Sequence, residues 1–182
     1  MEFYVKIFGA KRNEEIDLLI REIRVDDAEK FINLVKEVES KSDFMLMEAE
    51  ERKTTPEQQQ KQLEQFEQQD NSTIFVAEEK GELVGYLFAI GGTVKRTKHS
   101  AYLVIGILQE YRGKGIGSKL FDNVTKWAPK HNVSRLELTV VTENKAGVAL
   151  YKKLGFEIEG TKRNSLIING TNFDEYCMSK LL

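Results

Sequence analysis

The spacing of apolar and polar positions changes period several times along the chain, and each change predicts an element. Phe3, Val5 and Ile7 alternate near the start and suit a strand, and Glu14–Ile20 suits a short helix. Ile20–Val25 reads as a further strand. Asp26 and Asp27 then offer an N-cap to a helix with the apolar stripe Ala28, Phe31, Ile32, Leu34, Val35 and Val38. Ser40–Lys53 is a loop with an apolar cluster, Phe44–Met47, surrounded by Asp43, Glu48, Glu50 and Glu51. Thr55-Pro56-Glu57-Gln58 starts another helix: threonine caps, proline takes the first helical position and Gln58 closes a capping box. The glutamine-rich run to Gln69 reads as a solvated helix anchored by Leu63 and Phe66.

From Thr73 the pattern is dominated by strands. Thr73–Ala77 and Glu82–Ile90 flank a Glu79-Lys80-Gly81 turn, and Gly91-Gly92 marks a break. Ser100–Leu108 is almost wholly apolar, as a central strand should be. After Gly115, Ile116, Leu120, Val124 and Ala128 recur every fourth position, a helix ending near Pro129. Arg135–Val141 is a strand with Leu136, Leu138 and Val140 on one face. Asn144–Leu154 is a helix with Ala146, Ala149, Leu150 and Leu154 expected against the sheet. A strand opening at Phe156–Glu159 and another over Phe173–Met178 are joined through the hairpin signal Asn169-Gly170. The order β-α-α-β-β-β-α-β-α-β-β predicts one α+β domain with a mixed sheet over residues 20–182, with residues 1–19 as an N-terminal extension.

The composition narrows the possibilities further. The chain has 182 residues, 41% hydrophobic and 31% charged, enough to bury a core without disulfides or metals. Its 27 basic and 29 acidic residues give a net charge of −2, without the basic excess usual in nucleic-acid binders. The one cysteine, Cys177, cannot form an internal disulfide and reads as a small buried hydrophobe, so a reducing cytoplasm fits. No apolar run approaches the ~20 residues of a membrane span. The first residues lack the basic-then-apolar order of a signal peptide.

The densest chemistry lies between Ile105 and Ser118. A buried strand runs into Gly113, Gly115 and Gly117 on alternate positions, and a helix follows at once. Such a turn aims unpaired backbone N–H groups and the positive end of the helix dipole at one point, an anion site, with Arg112 and Lys114 as added cations. The string lacks the G-x-x-x-x-G-K-S/T of nucleotide P-loops and the G-x-G-x-x-G of dinucleotide folds. Downstream, Asn144-Lys-Ala-Gly-Val-Ala-Leu-Tyr151-Lys-Lys-Leu-Gly155-Phe156 is a capped helix ending at a glycine.

Arg112-x-x-Gly115-x-Gly117 resembles the R/Q-x-x-G-x-G/A motif of the GNAT superfamily of acyl-CoA-dependent N-acyltransferases. The second string resembles that family's N-x-x-A-x-x-x-Y-x-x-x-G-F, with Ala146 or Gly147 near the alanine position. The resemblance spans roughly Ile20 to the C-terminus. It implies a mixed, mostly antiparallel central sheet flanked by helices on both faces. It implies acetyl-CoA as co-substrate, with no metal. Arg112, Gly113, Lys114, Gly115, Ile116, Gly117 and Ser118 would hold the diphosphate. The Ile107 and Leu108 backbone would pair with the pantetheine arm, and one such N–H would polarise the thioester carbonyl. Asn144 would steady the arm, and Tyr151 would be the acid for the departing thiolate. The acceptor would be an amine of a small molecule, peptide or protein, with neither nucleic acid nor membrane as partner and a homodimer as an option.

An alkylamine with a pKa near 10.4 is protonated at pH 7, and presenting it as free base costs about 4.6 kcal/mol. A base or a water relay must recover that cost. Glu48 is the first candidate base, followed by Glu143, Tyr102 and His99. The acidic loop Asp43–Glu51 would favour a cationic acceptor. A non-catalytic acyl-CoA sensor and a nucleotide-binding protein are the rival readings.

Overall fold

The computed structural model describes residues 3–8 and 15–182 of the chain. The polar stretch Lys11–Glu14 lies outside the described residues. Among the described residues eight strands form one sheet in the order β1-β2-β3-β4-β5-β6-β8-β7. They are β1 Phe3–Phe8, β2 Glu15–Glu22, β3 Thr73–Glu79, β4 Glu82–Gly91, β5 Ser100–Ile107, β6 Arg135–Val141, β7 Glu157–Ile168 and β8 Thr171–Leu181. The helices are α1 Ala28–Ser40, α2 Pro56–Glu67, α3 Ile116–Trp127 and α4 Lys145–Lys153. Neighbouring strands are antiparallel except for β5 and β6. The mixed, mostly antiparallel sheet is therefore as expected. None of the described helices is long and apolar enough to cross a membrane.

The N-terminal part departs from expectation. Phe3–Phe8 is the strand its alternation suggests, but the segment assigned to a short helix is β2, which runs across residues 19 and 20 and pairs with both β1 and β3. Leu18 and Ile20 are fully buried. A run with Ile16, Leu18, Leu19 and Ile20 satisfies either period over so short a length, and pairing with β3 decides for the strand. Asp27 also differs: it does not cap α1 through its side chain. Its carboxylate is buried, accepts from Arg21 Nη1 and Nη2 at 2.6 and 2.8 Å, and takes the Arg24 amide at 2.8 Å. Burial works to raise the Asp27 pKa, but the Arg21 hydrogen bonds, the Arg24 amide and the Arg21 charge outweigh it and hold the carboxyl below its ordinary value.

Helices cover both faces. On one face Phe31 of α1 packs edge-on against Tyr86 of β4 at 5.6 Å, and Phe66 of α2 meets Phe88 at 5.8 Å. The α2 start forms as read: Gln58 N–H donates to Thr55 Oγ1 and Thr55 N–H to Gln58 Oε1. On the opposite face α3 lies across β2 to β5, and α4 joins it through Phe121 and Tyr151, 5.7 Å apart. Helix α4 is rotated from the predicted orientation. Ala146 and Ala149 are exposed, while Val148, Leu150, Tyr151 and Leu154 pack on the core. Fully burying one such large side chain stabilises by about 1.5–3 kcal/mol, so the larger residues take the inner face. Asn169 and Gly170, at φ 49° and 76°, close the β7–β8 hairpin.

Candidate functional site

Strands β5 and β6 are parallel and pair at three positions, Ser100 with Arg135, Ala101 with Leu136 and Tyr102 with Glu137. Beyond Tyr102 they part. On its other edge β5 stays paired with β4 as far as Ile107. Gly92 N–H to Ser100 O and Leu108 N–H to Val84 O, both 3.0 Å, fix which residues bond to β4. These are the even-numbered ones. Leu103, Ile105 and Ile107 must therefore turn their backbone groups into the opening between β5 and β6. That opening is an unpaired strand edge inside a sheet, and an extended chain could occupy it. Leu108 does not belong to this row: its amide is taken by Val84 and its carbonyl by the Tyr111 amide at 2.9 Å. The expectation that Leu108 faces the arm is corrected accordingly, whereas Ile107 lies on the open edge.

The glycine loop closes one end of the opening. Gly113 and Gly115 have φ 76° and 83°, a left-handed backbone that side-chain-bearing residues rarely adopt. Gly115 is the N-cap of α3, whose first turn has neither a side-chain cap nor an acidic residue. The amides of Ile116, Gly117 and Ser118 are thus the unpaired N–H groups of a helix start. Gly117 serves packing instead: a Cβ there would stand 3.1 Å from Leu150 Cδ2 and 3.5 Å from Ile107 Cδ1. Arg112 Nε donates to the Ile107 carbonyl at 3.1 Å, tying the guanidinium to the strand end. Lys114 Nζ lies 4.7 Å above the Tyr111 ring. The Tyr111 hydroxyl donates to the Glu79 carboxylate, and that bond, aided by burial, pushes its pKa up to about 12.

Tyr151 is buried between Phe121 and Phe156, with ring centroids 5.7 and 6.1 Å away. Among the described residues its hydroxyl has no hydrogen-bond partner. Burial, with a smaller contribution from Tyr102, pushes its pKa up to about 12, so it is a proton holder at neutral pH. The Tyr102 hydroxyl is 2.7 Å from Thr139 Oγ1, a bridge across the point where β5 and β6 part. Asn144 N-caps α4, its Oδ1 accepting from Gly147 N–H at 3.0 Å, which leaves its amide NH2 as a donor.

Of the proposed bases, Tyr102 is near enough to Tyr151 to act on its hydroxyl electrostatically, and the other three are exposed. Glu48 is exposed on the α1–α2 connection, and its own amide is held by Glu51 Oε2 at 2.9 Å. Glu143 is exposed and accepts from the Thr142 hydroxyl at 2.6 Å, and His99 is exposed. Sequence reasoning missed Glu137, which the parallel pairing sets beside Tyr102. Its only signal was a polar residue between Leu136 and Leu138. Among the described residues no group of three or more His, Cys, Asp or Glu side chains is placed to hold a metal ion.

A helix start without a side-chain cap and a strand edge that parts from its neighbour are thus set on one sheet, with a buried phenol on the helix that follows β6. The match to known proteins gives the class: the chain belongs to the acetyltransferase (GNAT) family, whose model covers residues 43–156. It is 32% identical over 102 residues to the L-amino acid N-acetyltransferase AaaT of Escherichia coli (strain K12), across 56% of this chain and 63% of that protein. The matched part thus spans less than two thirds of that relative. An acetyltransferase of the GNAT family from Streptococcus pneumoniae superposes with TM-score 0.88 at 33% identity, over 91% of this chain and 100% of that one. At 17% identity the fold is shared with yncA of Salmonella typhimurium, solved with its cofactor acetyl-CoA, at TM-score 0.80 over 91% of this chain and 94% of that one.

Proposed function

We propose that this protein is an acetyl-CoA-dependent N-acetyltransferase that acts on a primary amine of a small molecule or of a peptide or protein. The observation that carries this reading is the backbone row of Leu103, Ile105 and the Ile107 amide, open between β5 and β6, with the Ile107 carbonyl held by Arg112 and the acid-free start of α3 beyond it. When bound there, acetyl-CoA supplies an acyl group on a thioester. The amides of Ile116, Gly117 and Ser118, shaped by Gly113 and Gly115, hold the diphosphate. The odd-numbered β5 amides pair with the pantetheine arm, and one of them polarises the acyl carbonyl. The Asn144 amide steadies the arm.

Tyr151 Oη holds the proton on the sulfur side. A thiol has a pKa near 8.5, so full transfer from a phenol at about 12 is uphill by about 4.8 kcal/mol unless the thiolate too is buried. Tyr151 therefore acts first as a hydrogen-bond donor, and its proton moves only as far as the sulfur's own burial draws it. The acceptor must arrive as free base. Glu48 is exposed on the α1–α2 connection, and a water relay past Tyr102 and Thr139 serves as well. The name of the Escherichia coli relative supports an amino-acid α-amine as one acceptor class.

The test is thiol release from acetyl-CoA with a panel of amines, the products identified by mass. Acetylated product is the expected result. Acetyl-CoA binding with no product from any amine would make the protein a sensor, and a preference for ATP over acetyl-CoA would defeat the reading altogether.

A further inference from the structure

On the α1 and α2 side of the sheet, the end where β5 and β6 are still paired carries a cleft of about 350 Å3. Strand register lays out its floor. Ile90, Tyr102 and Glu137 form one row across β4, β5 and β6, and Ser100 with Arg135 the next. The β4–β5 connection forms the wall with Arg96 and His99. Tyr102 belongs to this cleft and to the slot at once, through its bond to Thr139 where the strands part.

Three features point to a ligand. Ser100 Oγ is buried and has no hydrogen-bond partner among the described residues. A hydroxyl in that state costs about 1–3 kcal/mol unless something binds it. The charges are polarised. Glu137 stands beside Tyr102 at the slot; its Oε2 accepts from Arg135 Nε, whose remaining charge Glu159 meets, and its Oε1, which bonds nothing among the described residues, is left for an amine, while Arg96 sits on a connection that also bears Lys95, Lys98 and His99. Arg135 cannot serve a ligand, because Nε meets Glu137 Oε2 at 2.9 Å and its other two nitrogens meet Glu159 at 2.9 and 2.5 Å. Arg96 makes no ion pair among the described residues.

We infer that this cleft is the acceptor site and takes an amine that also carries a carboxylate, with the amine end toward Glu137 at the slot and the carboxylate on Arg96 and the Ser100 hydroxyl. This rests on the acetyltransferase reading and adds the acceptor class to it. The charge arrangement suits a zwitterion, whereas a plain polyamine would face the cations of the connection.

The experiment compares matched acceptors at fixed acetyl-CoA by thiol release. One pair is phenylalanine and phenethylamine. The other is a dipeptide and its C-terminal amide, which separates a free amino acid from a peptide end as the carboxylate's source. The wild type is expected to favour the carboxylate-bearing member of at least one pair by about tenfold or more in kcat/KM, the usual worth of a charge-assisted contact. Arg96→Ala, on an exposed connection, should erase that preference by raising KM for the carboxylate-bearing acceptor alone, and Arg96→Lys should restore part of it. Equal rates within both pairs, or an Arg96→Ala loss shared by both members, overturns the inference while acetyl transfer stands. No thiol release with any amine removes the acetyltransferase reading as well.

Discussion

Tyr151→Phe separates packing from proton handling. The ring lies against Phe121 and Phe156, and phenylalanine keeps both contacts. The hydroxyl has no partner among the described residues, so its removal should change stability by less than about 1 kcal/mol and could raise it. Turnover should respond differently. Positioned acids contribute about 10²–10⁴-fold, and a phenol held at about 12 is a weak one, so a loss near the lower end is expected. Acetyl-CoA affinity should not change, because the diphosphate and arm contacts lie elsewhere. Stability also acquires a pH signature. The folded phenol keeps its proton to about 12 while the unfolded one loses it near 10. The resulting stabilisation is fully present below pH 10 and is lost as the pH rises toward 12, about 3 kcal/mol in all. The variant should be spared that alkaline loss. Denaturant titrations from pH 8 to 12, alongside thiol-release rates and calorimetric binding, read all three quantities. Unchanged turnover at every pH, or a large stability loss at pH 7, would refute the role given to the hydroxyl.

The remaining predictions address the cradle, the sheet and the ion pairs. Gly115→Ala places a methyl in open space but at φ 83°, so it should cost about 1–2 kcal/mol in thermal unfolding and weaken acetyl-CoA binding in calorimetry; Gly115→Glu should abolish binding by setting a negative charge at the helix start. Gly106→Ala brings a Cβ within 2.5 Å of Tyr86 Cζ, which must leave its contact with Phe31, for an expected loss of about 1–3 kcal/mol by urea titration. Asp27→Asn removes one of the two carboxylates on the buried Arg21, which keeps Glu78, and should cost about 1–3 kcal/mol. Because the Asp27 pKa is depressed, the stability it contributes in the wild type is present above its unfolded value near 3.9 and lost as the pH falls through the lower folded value, which acid titration would show. Neutralising Asp43, Glu48 and Glu50 together should raise KM for cationic amines if the acidic loop attracts them, and an unchanged KM discards that role.

Whatever depended on a few neighbouring residues was legible in the sequence. The Thr55–Gln58 capping box, the Asn169-Gly170 turn and the left-handed glycines before α3 each follow from dihedral preferences and hydrogen bonds that close within four residues. The glycines pointed to the loop before α3 as a candidate anion cradle, while the role proposed for Tyr151 came only from the family resemblance of its string. Tertiary structure decided whatever depended on which strand lies beside which. It made a strand of the Ile16–Ile20 run, turned Ala146 and Ala149 outward, and engaged the Leu108 amide with Val84. It also brought Glu137 beside Tyr102 and left Ser100 Oγ without a partner among the described residues, in a cleft. The physical reason is that a strand's apolar alternation specifies its faces but carries no record of its edges: backbone donors and acceptors are the same at every residue, and only the packed sheet determines which of them find partners and which stay open to a ligand.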